Sequence, residues 1–298
     1  MTGNAPGLPA TSSRLPGLRG FVHRHPIASF LILAYTIGWV ILMVPVLAER
    51  GVISFDLPAA VPIATVLALA VPALIITAIT GGRSAVRQLL GRLVQWRFGW
   101  GWWALVVLGL PLATLGLAAV TGFGSLNAPE SSLTGVAGAY LWRLVYGAVT
   151  VNLLEEMAWF GFVQTTLENR HTPMRAALAT APLFALIHLP LLLMPDQGPI
   201  FLLLPALVVF AIPFRILLAW VSARTGRSLL AVGLLHAASN ATNDKTTISR
   251  LVGGEDVSIL QIGILFLAAI IIAVVTRGRL GHPRVAGADA LEVATGPI

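Results

Sequence analysis

Apolar residues run through this chain in long blocks, separated by short charged segments. Eight runs are counted, at about 27–48, 57–80, 102–121, 133–167, 174–194, 200–222, 228–241 and 257–276. Most approach the ~20 residues that an α-helix needs to cross a bilayer. The seventh is short. The fourth is too long for a perpendicular span, because its roughly 35 residues would reach ~50 Å against a hydrocarbon core of ~30 Å. It must tilt, break or project. Residues 165–170 are expected to form a cytoplasmic projection, with His171-Thr172-Pro173 turning the chain.

The loop charges test this count. Arginine dominates every other connection: Arg14, Arg19 and Arg24; Arg83, Arg87, Arg92 and Arg97; Arg170 and Arg175; Arg224 and Arg227; Arg277, Arg279 and Arg284. The alternate connections carry Glu49, Arg50 and Asp56; Glu130; Asp196; and a mixed set from Asp244 to Asp256. That alternation is expected of eight spans with both termini cytoplasmic. Residues 84–95 have a different pattern. Val86, Leu89, Leu90, Leu93 and Val94 recur at helical spacing, with Arg87, Gln88, Arg92 and Gln95 opposite. They predict an amphipathic helix on the cytoplasmic face, with Trp96, Trp100, Trp102 and Trp103 anchoring the next span at the interface.

The fold class is therefore all-α: a polytopic membrane helical bundle of about eight transmembrane helices plus one interfacial amphipathic helix. Composition agrees, with 57% hydrophobic and 10% charged residues, where a soluble domain carries about 25% charge. Residues 1–25 and 281–298 read as disordered polar tails around a single membrane-embedded domain at 26–280. The first run ends without a small-residue cleavage site and reads as a retained span. The net charge is +7 and Lys245 is the only lysine. Because the arginines flank apolar runs, the partner implied is the lipid bilayer and no nucleic acid. The chain has no cysteine, which excludes disulfides, a nucleophilic thiol and Cys-ligated metals.

Against this background Glu155-Glu156, inside the fourth run, is an anomaly. An acid at the centre of a spanning helix costs ~2.5–3.5 kcal/mol on the translocon scale, and such a residue is a functional-site candidate by default. Other polar groups in the apolar runs are few: His188 in the fifth, Arg215 in the sixth, and His236-Ala-Ala-Ser239-Asn240 in the seventh, with Tyr140, Arg143 and Asn152 preceding the glutamates. His236 and Asn240 share a helix face, as do Asn152 and Glu155. Adjacent side chains on a helix diverge by ~100°, so one glutamate faces a reaction centre and the other supports it or pairs elsewhere.

The residue types suit hydrolysis. A desolvated carboxylate works as a general base near neutral pH, while neutral histidines and an asparagine donate hydrogen bonds to a developing oxyanion. One glutamate and two histidines also make a ligand set for a catalytic zinc; spacing leaves both open. Each group has a bland reading beside this one: a packed histidine, Asn240 as interhelical glue, Arg215 as a structural counter-ion. Their joint occurrence on separate helices favours a site.

These residues carry a resemblance. The chain is similar to the CPBP family of membrane proteases (CAAX proteases and bacteriocin-processing enzymes, also called the Abi family). Its motifs are Glu-Glu-x-x-x-Arg, Phe-x-x-x-His and His-x-x-x-Asn/Asp. Here they read Glu155-Glu156-Met-Ala-Trp-Phe160, Phe184-Ala-Leu-Ile-His188 and His236-Ala-Ala-Ser-Asn240, in order, within a motif core at 135–243. The resemblance implies an intramembrane endopeptidase of the bacterial cell membrane acting on a hydrophobic or lipidated peptide. It implies Glu155 as the residue that activates water, Glu156 as its support, and His188, His236 and Asn240 as the groups that polarise the carbonyl and hold the tetrahedral intermediate. Water activation without a required metal is the reading adopted; a divalent ion such as zinc on Glu155, His188 and His236 is the alternative. The chain departs from the motif at Phe160, where the family has arginine. Arg143 or Arg215 is expected to supply the missing charge, in which case Arg215 lies within salt-bridge reach of a glutamate.

Two other functions compete. Buried Glu and His also build proton relays in transporters, although no matched pair of broken helices in two repeated halves is visible. A catalytically impaired member acting as a peptide-binding scaffold is the other, favoured only by Phe160. Rival protease signatures, His-Glu-x-x-His and Gly-x-Ser-x-Gly, are missing from the sequence.

Overall fold

The structure, a computed structural model, describes residues 17–124, 132–195 and 197–281. The tails before and after these residues, with Arg14 and Arg284, lie outside the described residues, as do the loop acids Glu130 and Asp196. Every regular element among the described residues is helical. The first, α1 (Gly17–Arg24), falls in the stretch read as a polar tail. Each of the eight apolar runs becomes a helical segment: α2 (Pro26–Glu49), α3 (Ala60–Leu93), α4 (Trp100–Thr121), α5 (residues 133–168), α6 (Pro173–Ile187), α7 (Ile200–Arg224), α8 (Leu229–Asn243) and α9 (Ser258–Val275).

Five of these, α2, α3, α4, α7 and α9, are long and apolar enough to cross a membrane on their own. The outer faces of the bundle are apolar as well: Val40, Leu112, Val120, Val149 and Ile270 are all more than half exposed. A soluble monomer does not present apolar surface on this scale. The chain is a multi-pass membrane protein. In contrast, α6 and α8 have 15 residues each and so extend only ~22 Å, short of the ~30 Å core. Both start cleanly, because Thr172 and Ser228 accept hydrogen bonds from the amides of Arg175 and Ala231, with Pro173 at the position where a missing N–H costs nothing.

The long fourth run stays helical from Leu133 to Glu168. Within α5 the winding changes from α-helical to π-helical over Ala148–Asn152, returns to α over Leu153–Glu156, and is again π over Met157–Gln164. The two glutamates therefore sit on one regular turn between two widened ones. Such π segments are rare and gather at functional sites.

The amphipathic stretch is the second half of α3. It begins after Gly82, whose backbone (φ 69°, ψ −168°) is non-helical and turns the chain. Only glycine adopts that conformation readily. Its apolar residues divide: Leu89 is buried in the core, whereas Leu90 and Val94 stay exposed. Arg92, expected on the polar side, turns inward instead. Its Nε donates to the Arg227 carbonyl at 2.8 Å. Gln95 Nε2 donates to the carbonyls of Thr225 and Gly226, and Ser228 Oγ to that of Gln95. The segment is docked on the α7–α8 connection.

At the centre lies α8, touching α3, α4, α5 and α7 and buried along most of its length. Gly233 permits this. A Cβ there would stand 3.0 Å from the Cα of Leu153 and 2.6 Å from its Cδ2. The backbones of α5 and α8 thus approach two residues before Glu155 and three before His236. Gly233→Ala is expected to cost ~1–3 kcal/mol by overpacking, read as a lower unfolding temperature in detergent. Gly263→Ala, where an added Cβ meets nothing within 4 Å, should leave the melt unchanged or slightly raised. Identical melts for the two variants would contradict the close approach.

Candidate active site

The two carboxylates diverge as adjacent residues on a helical turn must. Glu156 points into the bundle and is fully buried. Its Oε2 accepts a hydrogen bond from Arg215 Nη1 at 2.7 Å, and its Oε1 faces His236 Nδ1 at 2.8 Å. Arg215 is itself fully buried on α7. The sequence-based expectation that it meets a glutamate is met. Arg143 does not share the role: it pairs with Asp244 at 3.1 Å, at a partly exposed site.

Glu155 points toward the two histidines. Its Oε2 is 3.9 Å from His236 Nε2 and its Oε1 is 4.0 Å from His188 Nε2. Asn152 Nδ2 donates to Oε2 at 3.4 Å. His236 thus lies between the carboxylates, one ring nitrogen toward each. The sequence pattern of His188 explains its position. Pro190 cannot donate the amide that would continue α6, and it disfavours helical geometry in Leu189. The helix therefore ends at Ile187, His188 caps it, and a 3₁₀ turn follows over Leu189–Leu193.

Ring orientations follow from the partners. His188 Nδ1 lies 3.0 Å from the Phe184 carbonyl. A carbonyl only accepts, so Nδ1 carries the proton. Glu156, paired with an arginine, likewise accepts from His236 Nδ1. A neutral ring of either histidine then presents Nε2 as an acceptor. This corrects the expectation that neutral histidines donate to an oxyanion: donation from Nε2 needs a second proton on the ring. Gaps of 3.9–4.0 Å are too long for direct hydrogen bonds and fit an intervening water.

A cleft of about 30 Å³ adjoins these groups, lined by Glu155, His188, Ile187 and Leu191 together with Gly38 and Leu42 of α2 and several residues from Val61 to Leu69 of α3. That volume holds about two waters. The sequence placed the chemistry in the second half of the chain, but the wall facing Glu155 comes from the first two spans. It is apolar except for Thr65, whose hydroxyl donates to the Val61 carbonyl.

Four of the five site residues gather here. Asn240, on the His236 face of α8 one turn on, is exposed, and its side chain makes no hydrogen bond among the described residues. Three contributors lay outside the expected set. Phe184 has its ring edge-on to both His188 and His236 and lies 4.0 Å below the Arg215 guanidinium carbon; its motif spacing was the signal. Arg215 was visible as the lone cation of the sixth run, and Asn152 as the i−3 neighbour of Glu155. The metal alternative finds a donor set of suitable chemistry, but no group of three or more His, Asp or Glu reaches metal-holding geometry among the described residues.

The fold and the site define a multi-pass membrane protein with a carboxylate–imidazole centre inside the bundle. Residues 137–242 match the family model of type II CAAX prenyl endopeptidases, Rce1-like. The match covers the stretch from the start of α5 to the end of α8, which contains all three motifs, and upholds the CPBP resemblance. No curated protein matches the chain.

The two ion pairs of this region should differ in strength. Glu156→Ala leaves Arg215 buried without a counter-charge and is expected to cost ~3–5 kcal/mol. Arg143→Ala, at the partly exposed pair, is expected to cost no more than ~1 kcal/mol. Unfolding in detergent measures both, and equal losses would argue against the buried pair.

Proposed function

We propose that this protein is an intramembrane, glutamate-dependent endopeptidase of the bacterial cell membrane, both termini cytoplasmic. Its substrate is a hydrophobic or lipidated peptide, CAAX-like or bacteriocin-like, reached through the bilayer. One observation carries the reading: two histidines, each with Nδ1 tied elsewhere, direct Nε2 at the two oxygens of one carboxylate, beside a cleft with room for water. The match to a prenyl endopeptidase family over the same stretch supports it.

In this mechanism Glu155 takes a proton from water in the cleft as the oxygen attacks the scissile carbonyl carbon. The carbonyl oxygen becomes an oxyanion. It receives hydrogen bonds from the Asn240 amide, exposed and one turn from His236, and from a histidine Nε2 carrying the second proton. Collapse of the tetrahedral intermediate breaks the C–N bond, and protonated Glu155 returns its proton to the departing amine. Glu156 does not touch substrate; it holds His236 by Nδ1. No step is routed through a metal, and zinc on Glu155, His188 and His236 is the competing arrangement. The Arg215 pair with Glu156 brings a guanidinium to the site that Phe160 does not, which weighs against the impaired-scaffold reading.

Membrane-tethered peptide libraries incubated with purified protein test this. Glu155→Gln should lower cleavage ~10²–10⁴-fold, and Asn240→Ala ~10²–10³-fold. Processing by Glu155→Gln at the wild-type rate would sink the mechanism. Stoichiometric zinc in the wild type, lost in His236→Ala, would favour the metal arrangement.

A further inference from the structure

Arg215 is an unusual counter-ion. It is fully buried, yet only Nη1 has a partner; Nε and Nη2 have none. Its guanidinium lies over the Phe184 ring. A cation held mainly to satisfy its own hydrogen bonds would not be placed so. What it does provide is a positive charge against one oxygen of Glu156, which leaves the other oxygen for His236 Nδ1. The contacts form a chain: Arg215, Glu156, His236, Glu155. Each link but the last is a close contact, and the last is the 3.9 Å gap at the reaction centre.

Phe160 lies on the same helix as Glu156. It is one turn after Glu156 on α5 and buried in the same apolar cluster as Phe214 and Leu218, the α7 residues flanking Arg215. A long side chain at position 160 has one helical turn to cover to reach Glu156.

Resting on the endopeptidase reading above, we infer that Arg215 is a positioning residue for catalysis. Acting through Glu156, it fixes the rotation of the His236 ring and so the direction of Nε2 toward Glu155. What the site requires is a guanidinium beside Glu156, not a particular helix to carry it. The charge can therefore be moved from α7 to α5 by exchanging positions 215 and 160.

The test compares R215K, R215M and the double variant R215M/F160R in detergent. R215M should lower kcat about 100-fold and leave KM within about three-fold, in line with the loss of a group that orients a catalytic histidine. R215K should fall between R215M and the wild type, because a point charge replaces a planar fork. R215M/F160R should recover at least about ten-fold over R215M. The inference is overturned if R215M and R215K both stay near wild-type kcat, or if the folded double variant is no better than R215M. Should R215M fail to fold, R215K and the double variant carry the comparison. A second measurement separates this idea from the endopeptidase reading. In ¹⁵N-histidine spectra, the hydrogen-bonded Nδ1–H of His236 should be present in wild type, lost in R215M and restored in the double variant. A wild type that cleaves nothing defeats the proposed function, and these spectra then decide the role of Arg215. An unchanged His236 signal in R215M overturns it.

Discussion

The structure depends on one buried carboxylate. An ion of that size moved into a low-dielectric interior carries an idealised penalty of order 20 kcal/mol, and several kcal/mol after relaxation. Glu156 is tolerable only because Arg215 and His236 meet its two oxygens. Those partners come from α7 and α8, and the ring that carries the guanidinium comes from α6. One side chain on α5 thereby fixes the relative placement of four helices. Such a pair is weak evidence of stability, because apolar residues of equal volume often do as well. Its consequence here is rotational. With Glu156 anchored inward at two points, the neighbouring Glu155 has to face the histidines and the cleft.

A site of this kind needs irregular backbone at membrane depth, and lipid does not tolerate unsatisfied carbonyls. The chain solves this with side chains from α2. The Leu186 carbonyl would accept from residue 190 in a continuing helix, but residue 190 is proline. Trp39 Nε1 donates to it instead, at 3.2 Å. Tyr35 donates to the Leu183 carbonyl and Arg50 to that of Leu193, at 2.9 and 2.7 Å. The broken end of α6, where His188 sits, is therefore supported by a helix that contributes no titratable group to the site. On the far side, Gln261 of α9 donates to Ser239 and accepts from Asn243, tying down the end of α8 beyond His236.

Much of this was legible. The apolar runs found all eight helical segments, with ends that moved by a few residues, because a membrane span is written in hydropathy alone. The polar residues inside them pointed to the cluster around Glu155 and Glu156, because each is costly and few are present. Other features were not legible, for identifiable reasons. The Gly82 corner merges two patterns that look like span and surface helix. Arg92 reads as solvent-facing by periodicity and turns inward because the α7–α8 connection presents it with carbonyls. The π winding around Leu153–Glu156 leaves no mark on an apolar sequence. Apart from Thr65, the cleft wall from α2 and α3 is alanine, glycine and aliphatic residues, which look the same whether they face a neighbour, lipid or a substrate.

The protonation pattern explains why the gathered groups suit water in particular. Glu155 brings two acceptor oxygens. A histidine that is neutral, with Nδ1–H already given to Phe184 or Glu156, brings one acceptor nitrogen, and one that carries the second proton donates. Among the described residues the side-chain amide of Asn152 is the one hydrogen-bond donor to Glu155, and its contact is long at 3.4 Å. Among these groups acceptors outnumber donors, and the cleft that Glu155 and His188 line has room for about two waters. A group that supplies protons to two sides while keeping a lone pair free matches that imbalance, and water is the smallest such group. Held between Glu155 and an Nε2, it would lose a proton readily and keep its lone pair directed away from both, toward the cleft. The arrangement that makes the empty polar surface unfavourable is thus the same arrangement that would turn a bound water into a nucleophile.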